Sequence, residues 1–374
     1  MKIGIDSRSI NLHSGSGIGT YTTNLVSNLI NNESIDFKLI WTGEKKSSFI
    51  KDNTKLFNTS GRHGGFYENY YIPNLMKSEK VDLYHIPQNG IGFPFDWDLN
   101  VVVTIHDLIP YIMPETVGKG YLNRFLREMP NIISSSRGII TVSEYSKKDI
   151  LRFFPSFPAD HIYVTPLATN DYFKPMPKNE SRNYIKENYK INEPFLLYIG
   201  GFSSRKNVKN LIMSFNDIEK DFKVPHKLLL CGSLKDEGLA LRDLVLSLGL
   251  QDKVLFTGYI PDTLLPIFYS AADAFIYPSL YEGFGLPPLE AMSCKTPVIT
   301  SNLTSIPEVT GNNAILINPS DQNELSEAIR KLVNDDSLKN ELSEKGYKRS
   351  LQFSWKQTSE NTINAYNDII NSIY

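Results

Sequence analysis

The 374-residue sequence predicts an α/β fold made of two doubly wound domains that face each other across a cleft. Short apolar runs rich in β-branched residues alternate with longer amphipathic segments, which is typical of parallel sheets joined by crossover helices. This alternation occurs twice. A stretch rich in proline, asparagine and lysine, residues 166–194, separates the two rounds, and we interpret its start as an interdomain linker.

Each round contains six strand candidates. In the first round they lie at 2–6, 37–41, 82–86, 100–105, 138–142 and 161–165, with helical candidates at 18–30, 67–77, 121–136 and 146–153. In the second round they lie at 195–200, 226–232, 253–258, 273–278, 297–301 and 314–318, followed by a polar–apolar tail over 321–374. Ligands of doubly wound sheets bind beyond the carboxyl ends of the strands, so we expect a large ligand in the cleft between two such edges.

Composition excludes several classes of protein. The formal net charge of −2 gives no global sign of a nucleic-acid partner. Cys231 and Cys294 lie far apart in apolar surroundings, so we expect buried free thiols and a reducing compartment. The N-terminus lacks the regions of a signal peptide, and no window has the roughly 18 consecutive apolar residues of a spanning helix. We therefore expect a cytoplasmic protein.

Two motifs of the first half follow strand candidates. SGSGIGTY contains Gly15, Gly17 and Gly19, which let backbone amides approach an anion at a helix start. Its spacing differs from the dinucleotide fingerprint, so NAD is not predicted, and a flexible turn is the alternative. His106, in HDLIP, follows the apolar strand VVVTI at a position where ligand contacts are expected. The structural alternative is that Asp107 caps the following loop.

A third motif, GGFSSRKN, follows the first strand candidate of the second half. Gly200 and Gly201 permit close backbone approach to a ligand, and Arg205 and Lys206 can neutralise a diphosphate. A solvated basic helix start is the alternative. Because cations at a helix N-terminus oppose the macrodipole, an anionic ligand would relieve that repulsion.

The most specific stretch is SLYEGFGLPPLEAM, residues 279–292. Glu282 lies in a loop between a strand and a helix, flanked by Gly283 and Gly285, and Glu290 follows a proline pair in the predicted first turn. The helix dipole accounts for Glu290 structurally but leaves Glu282 unexplained. We predict that both carboxylates bind a ligand rich in hydroxyl groups, while the loop amides contact its phosphates.

For three further features we favour a structural interpretation. The aromatic segment GGFYENYYIP, residues 64–73, is predicted to be core, with an acceptor-side wall as the alternative. Lys119, Arg124 and Arg127 are predicted to form a solvated helix face, with an anionic membrane contact as the alternative. The six histidines show no metal-ligand spacing, so we predict no metal.

Taken in order, these motifs resemble the retaining glycosyltransferases of family 4, which have the GT-B fold of two Rossmann-like domains. Glu282 to Glu290 matches the E-x7-E element of that family. Other segments are similar to family segments in the same order: GSGIGTY, VVVTIHDLIP, GIITVSEYSKKDI, VTPLATNDYF, YIGGFSSRKN, LLLCG and VLFTGYIPD. The similarity spans nearly the whole chain.

The resemblance implies an acceptor-side domain of residues 1–168, completed by a C-terminal helix at 355–374 that crosses back, and a nucleotide-sugar-binding domain of residues 169–354. Arg205 and Lys206 would contact the diphosphate, Glu290 the ribose and Glu282 the transferred sugar. Further donor contacts would come from Gly200, Gly201, Phe284, Gly285 and Leu286, from Tyr259 and Ile260 near the base, from Gly15 and Gly17 over the phosphates, and from His106 at the sugar.

One position departs from the family pattern. Many relatives carry an arginine directly after the glycine of a G-R-x-x-x-x-K element, where this chain has Gly201 and Phe202. A subgroup lacks that arginine and keeps the Arg-Lys pair. The mechanism implied is a front-face reaction in which the departing phosphate deprotonates the acceptor hydroxyl, without a metal or other cofactor.

The implied function is transfer of a hexose, with mannose from GDP-mannose as the first choice, to a glycan or lipid-linked glycan of surface-polysaccharide biosynthesis. Users of UDP-glucose, UDP-galactose or dTDP-rhamnose share the same skeleton. A nucleotide-sugar epimerase and a non-catalytic sugar-nucleotide-binding scaffold are the alternatives. A lipid-linked acceptor would be consistent with a peripheral contact at the inner face of the membrane; no nucleic-acid partner is expected, and the oligomeric state is left open.

Overall fold

The computed structural model describes residues 1–373, with Asp236 described by its backbone alone. These residues divide into two compact units. The N-terminal unit comprises Met1–Leu167 and the C-terminal segment from Ser354, and the second unit comprises Ala168–Phe353. The boundaries predicted after residues 168 and 354 each lie one residue from this division. Tyr374, the last residue of the predicted final helix, lies outside the described residues.

The N-terminal unit is built on one parallel sheet of seven strands within the described residues. The strands are β1 (Lys2–Asp6), β2 (Asp36–Thr42), β3 (Thr54–Thr59), β4 (Leu83–Ile86), β5 (Val101–Ile105), β6 (Gly138–Thr141) and β7 (Ile162–Val164). The helices are α1 (Ser9–Leu12), α2 (Gly17–Leu29), α3 (Gly64–Phe66), α4 (Ile72–Glu79), α5 (Ile109–Ile112), α6 (Lys119–Ser135) and α7 (Glu144–Phe153). The strand order β3-β2-β1-β4-β5-β6-β7 places the topological switch point, where ligands of such sheets bind, between β1 and β4.

The second unit repeats this plan with a six-stranded parallel sheet. Its strands are β8 (Phe195–Ile199), β9 (Lys227–Cys231), β10 (Val254–Gly258), β11 (Ala274–Tyr277), β12 (Val298–Ser301) and β13 (Ile315–Ile317). Its helices are α8 (Lys178–Tyr189), α9 (Val208–Ile218), α10 (Asp236–Ser247), α11 (Leu265–Ala271), α12 (Leu286–Ser293), α13 (Ile306–Thr310), α14 (Gln322–Asn334) and α15 (Asp336–Ser350). The order β10-β9-β8-β11-β12-β13 places the switch point between β8 and β11. The last helix, α16 (Trp355–Ile373), belongs to the N-terminal unit.

The predicted α/β class with two Rossmann-like units is confirmed, and each of the twelve strand candidates overlaps an observed strand. Five elements lie outside the predicted candidates: the strand β3 and the helices α1, α3, α5 and α8. The edge strand β3 is polar and half exposed, so it lacks an apolar run. The helix α8 lies in the proline-rich stretch and buries only Ser181 and Ile185, which leaves little apolar periodicity. The tail after residue 321 forms α14, α15 and α16.

Salt bridges add to the apolar contacts of α8, whose Ile185 lies in the core of the second unit while Tyr184 and Tyr189 pack against it. Lys178 and Arg182 of this helix reach Asp273 at 2.7 and 2.8 Å, and His226 lies 3.1 Å from the same carboxylate. Burial alone would raise the pKa of Asp273, but the hydrogen bond from His226 and the two cationic groups hold the pKa well below its usual range. The chain after the interdomain boundary is thereby attached to the second sheet.

A buried hydrogen-bond chain attaches α16 to the first sheet. The Tyr366 hydroxyl lies 2.7 Å from His85 Nδ1, and His85 Nε2 lies 2.8 Å from the Thr104 hydroxyl. Tyr21 of α2 completes the chain through a 3.0 Å contact with Thr104. Burial lowers the pKa of His85 to about 3, so the imidazole is neutral and can donate from one nitrogen while accepting at the other. None of the described helices combines the length and the apolar character needed to cross a bilayer.

We predict that Tyr366→Phe destabilises the protein by about 1–3 kcal/mol, because it leaves a buried imidazole nitrogen of His85 without a partner. Urea unfolding followed by circular dichroism measures this effect. Tyr70→Phe is the matched control, since Tyr70 is 62% exposed. Equal urea midpoints of unfolding for the two variants would show that the buried hydrogen-bond chain does not stabilise the attachment of α16.

Candidate functional site

The candidate site of the second unit lies at its switch point, where the loops after β8 and β11 meet. The two strands are hydrogen-bonded neighbours, with Leu196 opposite Ala274. Their loops therefore leave the same edge of the sheet side by side. The Leu280 amide donates to the Arg205 carbonyl at 2.8 Å, which joins the loops directly.

Glu282 is the centre of this site. Its Oε1 atom accepts from Lys206 Nζ at 2.6 Å and lies 3.0 Å from Arg205 Nη1. The hydroxyls of Ser279 and Tyr277 reach the same oxygen at 2.5 and 3.0 Å. All of these contacts converge on Oε1, and Oε2 accepts no hydrogen bond from the described residues. One carboxylate oxygen is therefore used by the protein, and the other is available to a ligand.

The surroundings of Glu282 keep it ionised although it is buried. Burial alone would raise the pKa of this carboxyl group, but the charges of Lys206 and Arg205, together with the hydrogen bonds from Lys206 and Ser279, lower the pKa to about 2. Lys206 also donates to the Tyr277 hydroxyl at 2.5 Å. The cluster is thus a charged triad of one carboxylate and two cations.

This geometry corrects the electrostatic argument for Arg205 and Lys206. They do not open a helix: Ser204–Lys206 forms a single 3-10 turn, Asn207 adopts a left-handed φ of 58°, and α9 begins at Val208. Neither cation lies in α9, and Glu282 offsets one of their two positive charges, so the predicted conflict with the helix dipole does not arise. The sequence predicted the two cations and Glu282 as separate ligand contacts, and the structure brings them together.

Backbone geometry fixes the loop between Glu282 and α12. Gly285 precedes the helix with a φ of 111°, in the region that favours glycine, and a Cβ there would also lie 2.5 Å from Ile306 Cδ1 and force that side chain to shift. The Ser305 hydroxyl lies within hydrogen-bond distance of the carbonyls of Glu282 and Phe284, at 2.9 and 2.8 Å. The Phe284 side chain is buried against Phe353, which is compatible with the donor contact predicted for its backbone amide.

Glu290 differs sharply from Glu282. It is the fifth residue of α12, which begins at Leu286, so its predicted place in the first turn is wrong and the dipole does not account for it. Its Oε2 atom accepts from the Tyr269 hydroxyl at 2.9 Å. Burial raises the pKa of Glu290 to about 7, and the nearby charge of Asp262 adds to the rise. At neutral pH this carboxyl group is therefore poised between its two protonation states.

Two glycines after β8 take different roles. A Cβ at Gly200 would lie 2.8 Å from the Tyr198 hydroxyl, which itself donates to the Gly201 carbonyl at 2.6 Å. Gly201 has open space where a Cβ would be and is exposed. Phe202 is buried, stacked on Tyr198 with ring centroids 6.1 Å apart. The position that departs from the family pattern therefore carries a core side chain.

The loop after β10 contains Tyr259 and Ile260. Tyr259 is 63% exposed, so its ring is available to a ligand. Ile260 is buried in the core of the second unit, which restricts its predicted contact to the backbone.

In the N-terminal unit the glycine-rich loop leads into α2. Gly15 has a φ of 77°, and Gly15 and Gly17 are both exposed. The Ser16 hydroxyl accepts from the Gly19 amide at 3.2 Å and caps the helix. A Cβ at Gly19 would lie 2.1 Å from the His13 carbonyl oxygen, so Gly19 serves the turn itself. The exposed amides of the other two glycines remain suited to an anion.

His106 follows β5 at the carboxyl edge of the first sheet. Its Nε2 atom lies 2.8 Å from the Pro87 carbonyl, and its amide donates to Asn89 Oδ1 at 2.8 Å. Burial lowers the pKa of His106 to about 4, so the ring is neutral. A neutral ring that donates from Nε2 has Nδ1 as an acceptor, which suits a ligand hydroxyl.

Sequence reasoning missed a buried ionic cluster at the same edge. Arg8 donates to both oxygens of Asp6, at 2.9 and 2.7 Å, and Gln88 donates to Asp6 at 2.7 Å. Arg8 also reaches Glu68 at 3.3 Å. The signal was present, because Asp6 ends a buried strand and polar residues follow it. Within residues 1–373, excluding the side chain of Asp236, no group of three or more His, Cys, Asp or Glu side chains could hold a metal ion.

Two structural interpretations can now be checked. The predicted core placement of the aromatic segment is wrong for Phe66 and Tyr70, which are 55% and 62% exposed. On α6, Arg124 and Arg127 both pair with Glu128, at 2.9 and 2.8 Å, which supports the solvated face rather than a basic membrane contact. Cys231 and Cys294 are buried free thiols, as predicted.

Family models match both halves of the chain. Residues 15–171 match Glycosyltransferase Family 4, and residues 181–349 match Glycosyl transferases group 1. Together the two matches include β4 of the first switch point and both strands, β8 and β11, of the second.

Similar proteins are consistent with these matches. The chain is 33% identical over 291 residues to O-antigen chain mannosyltransferase B of Escherichia coli, covering 78% of this chain and 75% of that one. It is 28% identical to the serotype-specific mannosyltransferase WbdA of Escherichia coli, covering 72% of this chain and 34% of that longer protein. The structure of Anabaena Alr3699/HepE in complex with UDP and glucose matches with a TM-score of 0.77 at 16% identity, covering 98% of this chain and all of that one. The chain therefore belongs to glycosyltransferase family 4 and is a glycosyltransferase with two Rossmann-like domains of the GT-B type.

Proposed function

We propose that the protein transfers mannose from GDP-mannose to a mannose-containing glycan chain, with retention of configuration and without a metal. The observation that carries this proposal is the buried cluster at the second switch point. There Arg205 and Lys206 surround one oxygen of Glu282, and the other oxygen accepts no hydrogen bond from the described residues. A sugar diphosphate requires cations for its phosphates and a carboxylate for its sugar hydroxyls, and this cluster supplies both.

The charge of the leaving group explains the two cations. As the bond from the sugar C1 to the phosphate oxygen breaks, its electron pair stays on the nucleoside diphosphate. Arg205 and Lys206 stabilise that developing charge, and their low exposure strengthens the interaction. We assign further phosphate contacts to the backbone at Gly285 and Leu286, where α12 begins.

The two glutamates contact different parts of the donor. Glu282 accepts from hydroxyls of the transferred sugar through Oε2. Glu290 accepts from the ribose hydroxyls through Oε1, since Oε2 already accepts from Tyr269. In the N-terminal unit we assign to His106 a contact between Nδ1 and a sugar hydroxyl. The family resemblance also implies donor contacts for Gly201, for Tyr259 and for the glycines of the first loop, and we keep these as predictions.

Retention follows from a front-face reaction. The acceptor oxygen forms a bond to C1 on the face that the phosphate leaves, and the acceptor proton passes to the departing phosphate oxygen. This step needs no protein base, which agrees with a Glu282 pKa too low for that task. The names of the relatives support mannose and an O-antigen-type acceptor, because the two E. coli proteins are mannosyltransferases by their names. The free buried cysteines are consistent with a cytoplasmic location.

We predict that the purified protein transfers mannose from GDP-mannose to α-linked mannose oligosaccharides in the presence of EDTA and forms an α-linked product. Mass spectrometry detects the transfer, and NMR of the new anomeric centre gives the configuration. Lys206→Ala should weaken GDP binding about tenfold to hundredfold, as expected for the loss of a charge-assisted contact to a phosphate.

Lys209→Ala is the matched control, because Lys209 is an exposed lysine on α9. Transfer from UDP-glucose, UDP-galactose or dTDP-rhamnose in place of GDP-mannose would refute the donor assignment. Conversion of the nucleotide sugar without an acceptor would favour an epimerase, and nucleotide binding without any turnover would favour a scaffold.

We predict that GDP binds more tightly as the pH rises from 6 to 8. Glu290 has a raised pKa of about 7, so the carboxylate that accepts from the ribose appears only as the pH rises through that value. A single group with this pKa is expected to give about a tenfold change in affinity over the two pH units. Isothermal titration calorimetry measures it. Glu290→Gln should flatten the profile, and an unchanged slope in that variant would assign the pH dependence to another group.

A further inference from the structure

The segment between β3 and α4 presents two aromatic rings to solvent. Phe66 ends α3, and Tyr70 lies in a π-helical turn at Tyr67–Tyr71. The two rings stack with centroids 6.4 Å apart and planes 28° apart, and they are 55% and 62% exposed. We call this pair the aromatic platform. π-Helical turns are rare and occur frequently at functional sites.

Contacts with the rest of the N-terminal unit hold the platform segment in place. Tyr67 packs against the hydrophobic core of the N-terminal unit and makes an edge contact with Tyr71 at 5.4 Å. The Trp97 indole donates to the Asn69 carbonyl at 2.6 Å. The two exposed rings therefore belong to an anchored segment, and their exposure is a property of the fold.

An ionic chain connects the platform to the switch point of the first sheet. Glu68, between the two rings in sequence, contacts Arg8, which binds Asp6 at the end of β1. Gly92 passes close by, since a Cβ there would lie 3.1 Å from Arg8 Nη2 and 3.3 Å from Glu68 Cγ. His106 lies at the same carboxyl edge, through its contact with Pro87 after β4. The turn that carries the platform is thus linked through Glu68 to the edge that carries the proposed sugar contact.

The ionic chain beside the platform is neutral, while the exposed Arg62 lies four residues before Phe66. Arg8, Arg124 and Arg127 contribute three positive charges, and they pair with three carboxylates, those of Asp6, Glu68 and Glu128. An anionic lipid surface or a phosphate group gains little from such a neutral network. A neutral ligand with an apolar face is the better match, because it can cover the two rings without bringing a charge of its own.

We propose that the aromatic platform binds a neutral hexose unit of the acceptor glycan, at a distance from the hydroxyl that reacts. The inference rests on the proposed function and names the part of the N-terminal unit that selects a glycan acceptor. The C–H groups on one face of a pyranose pack against the negative faces of the Phe66 and Tyr70 rings, as apolar groups pack on aromatic side chains. An acceptor long enough to reach the platform is bound more tightly than a single sugar.

The test compares methyl α-mannoside with α-mannotriose as acceptors for the full-length protein. Phe66→Ala and Tyr70→Ala should each raise the KM for mannotriose by about three- to tenfold, the range expected for loss of one aromatic contact. The KM for methyl α-mannoside, the KM for GDP-mannose and the Kd for GDP should stay unchanged. Phe66→Leu should behave like Phe66→Ala, whereas Phe66→Tyr should retain most of the affinity for mannotriose. The contact requires an aromatic ring and not only apolar volume.

Leu246→Ala is the control, since Leu246 is 56% exposed in the second unit. An unchanged mannotriose KM in both platform variants would overturn the proposal. Flotation with phosphatidylglycerol vesicles tests the competing assignment to a membrane. If the wild-type protein binds these vesicles and both alanine variants do not, the platform is a membrane contact and the proposal is wrong. If wild type transfers no hexose at all, the proposed function fails separately. Saturation-transfer NMR with mannotriose then tests the platform, and a signal equal in wild type and Phe66→Ala would refute it.

Discussion

The ion cluster of Glu282, Arg205 and Lys206 is the interaction on which the candidate site depends. Removing a carboxylate from water costs several kcal/mol unless partners replace the lost hydration. Here two cations and two hydroxyls replace it, and all of them contact the same oxygen. The partners come from loops 76 residues apart, so the cluster can form only because the sheet places β8 beside β11. The crossing of the chain at this switch point is thus a precondition for the charged triad.

The two glutamates of one short segment show how local surroundings divide chemical roles. Glu282 faces two cations and has a pKa near 2, whereas Glu290 has one tyrosine hydroxyl as partner and a pKa near 7. Carboxyl groups with pKa values driven apart by their environments are typical of functional sites. A structural ion pair would account for Glu282 alone. It would not account for Glu290, whose burial lacks a compensating cation within the described residues.

Much of the fold could be predicted from the sequence, because parallel strands that are buried on both faces have continuous apolar sequences, such as VVVTI of β5. β3 was missed because edge pairing forms it without an apolar run. α8 was missed because its few apolar contacts are supplemented by salt bridges to Asp273, which leave no apolar period. The site residues could be named from their positions after strands and from family motifs. The pairing of Glu282 with the cations, and of Asp6 with Arg8 and Gln88, depends on tertiary contacts that no local pattern encodes. The exposed platform was misread because aromatic spacing does not tell which face meets water.

The most direct test of the central claim is the behaviour of Glu282→Gln, which keeps the shape of the side chain and removes its charge. If Arg205 and Lys206 serve a diphosphate, freeing them from the carboxylate should make GDP bind at least as tightly as to wild type. Loss of the ionised sugar contact should at the same time reduce mannosyl transfer by about a hundredfold or more. Calorimetry and the transfer assay measure the two effects on the same preparation. A variant that loses GDP affinity and thermal stability together, or that keeps transfer within about threefold of wild type, would contradict the account and leave the cluster a structural salt bridge.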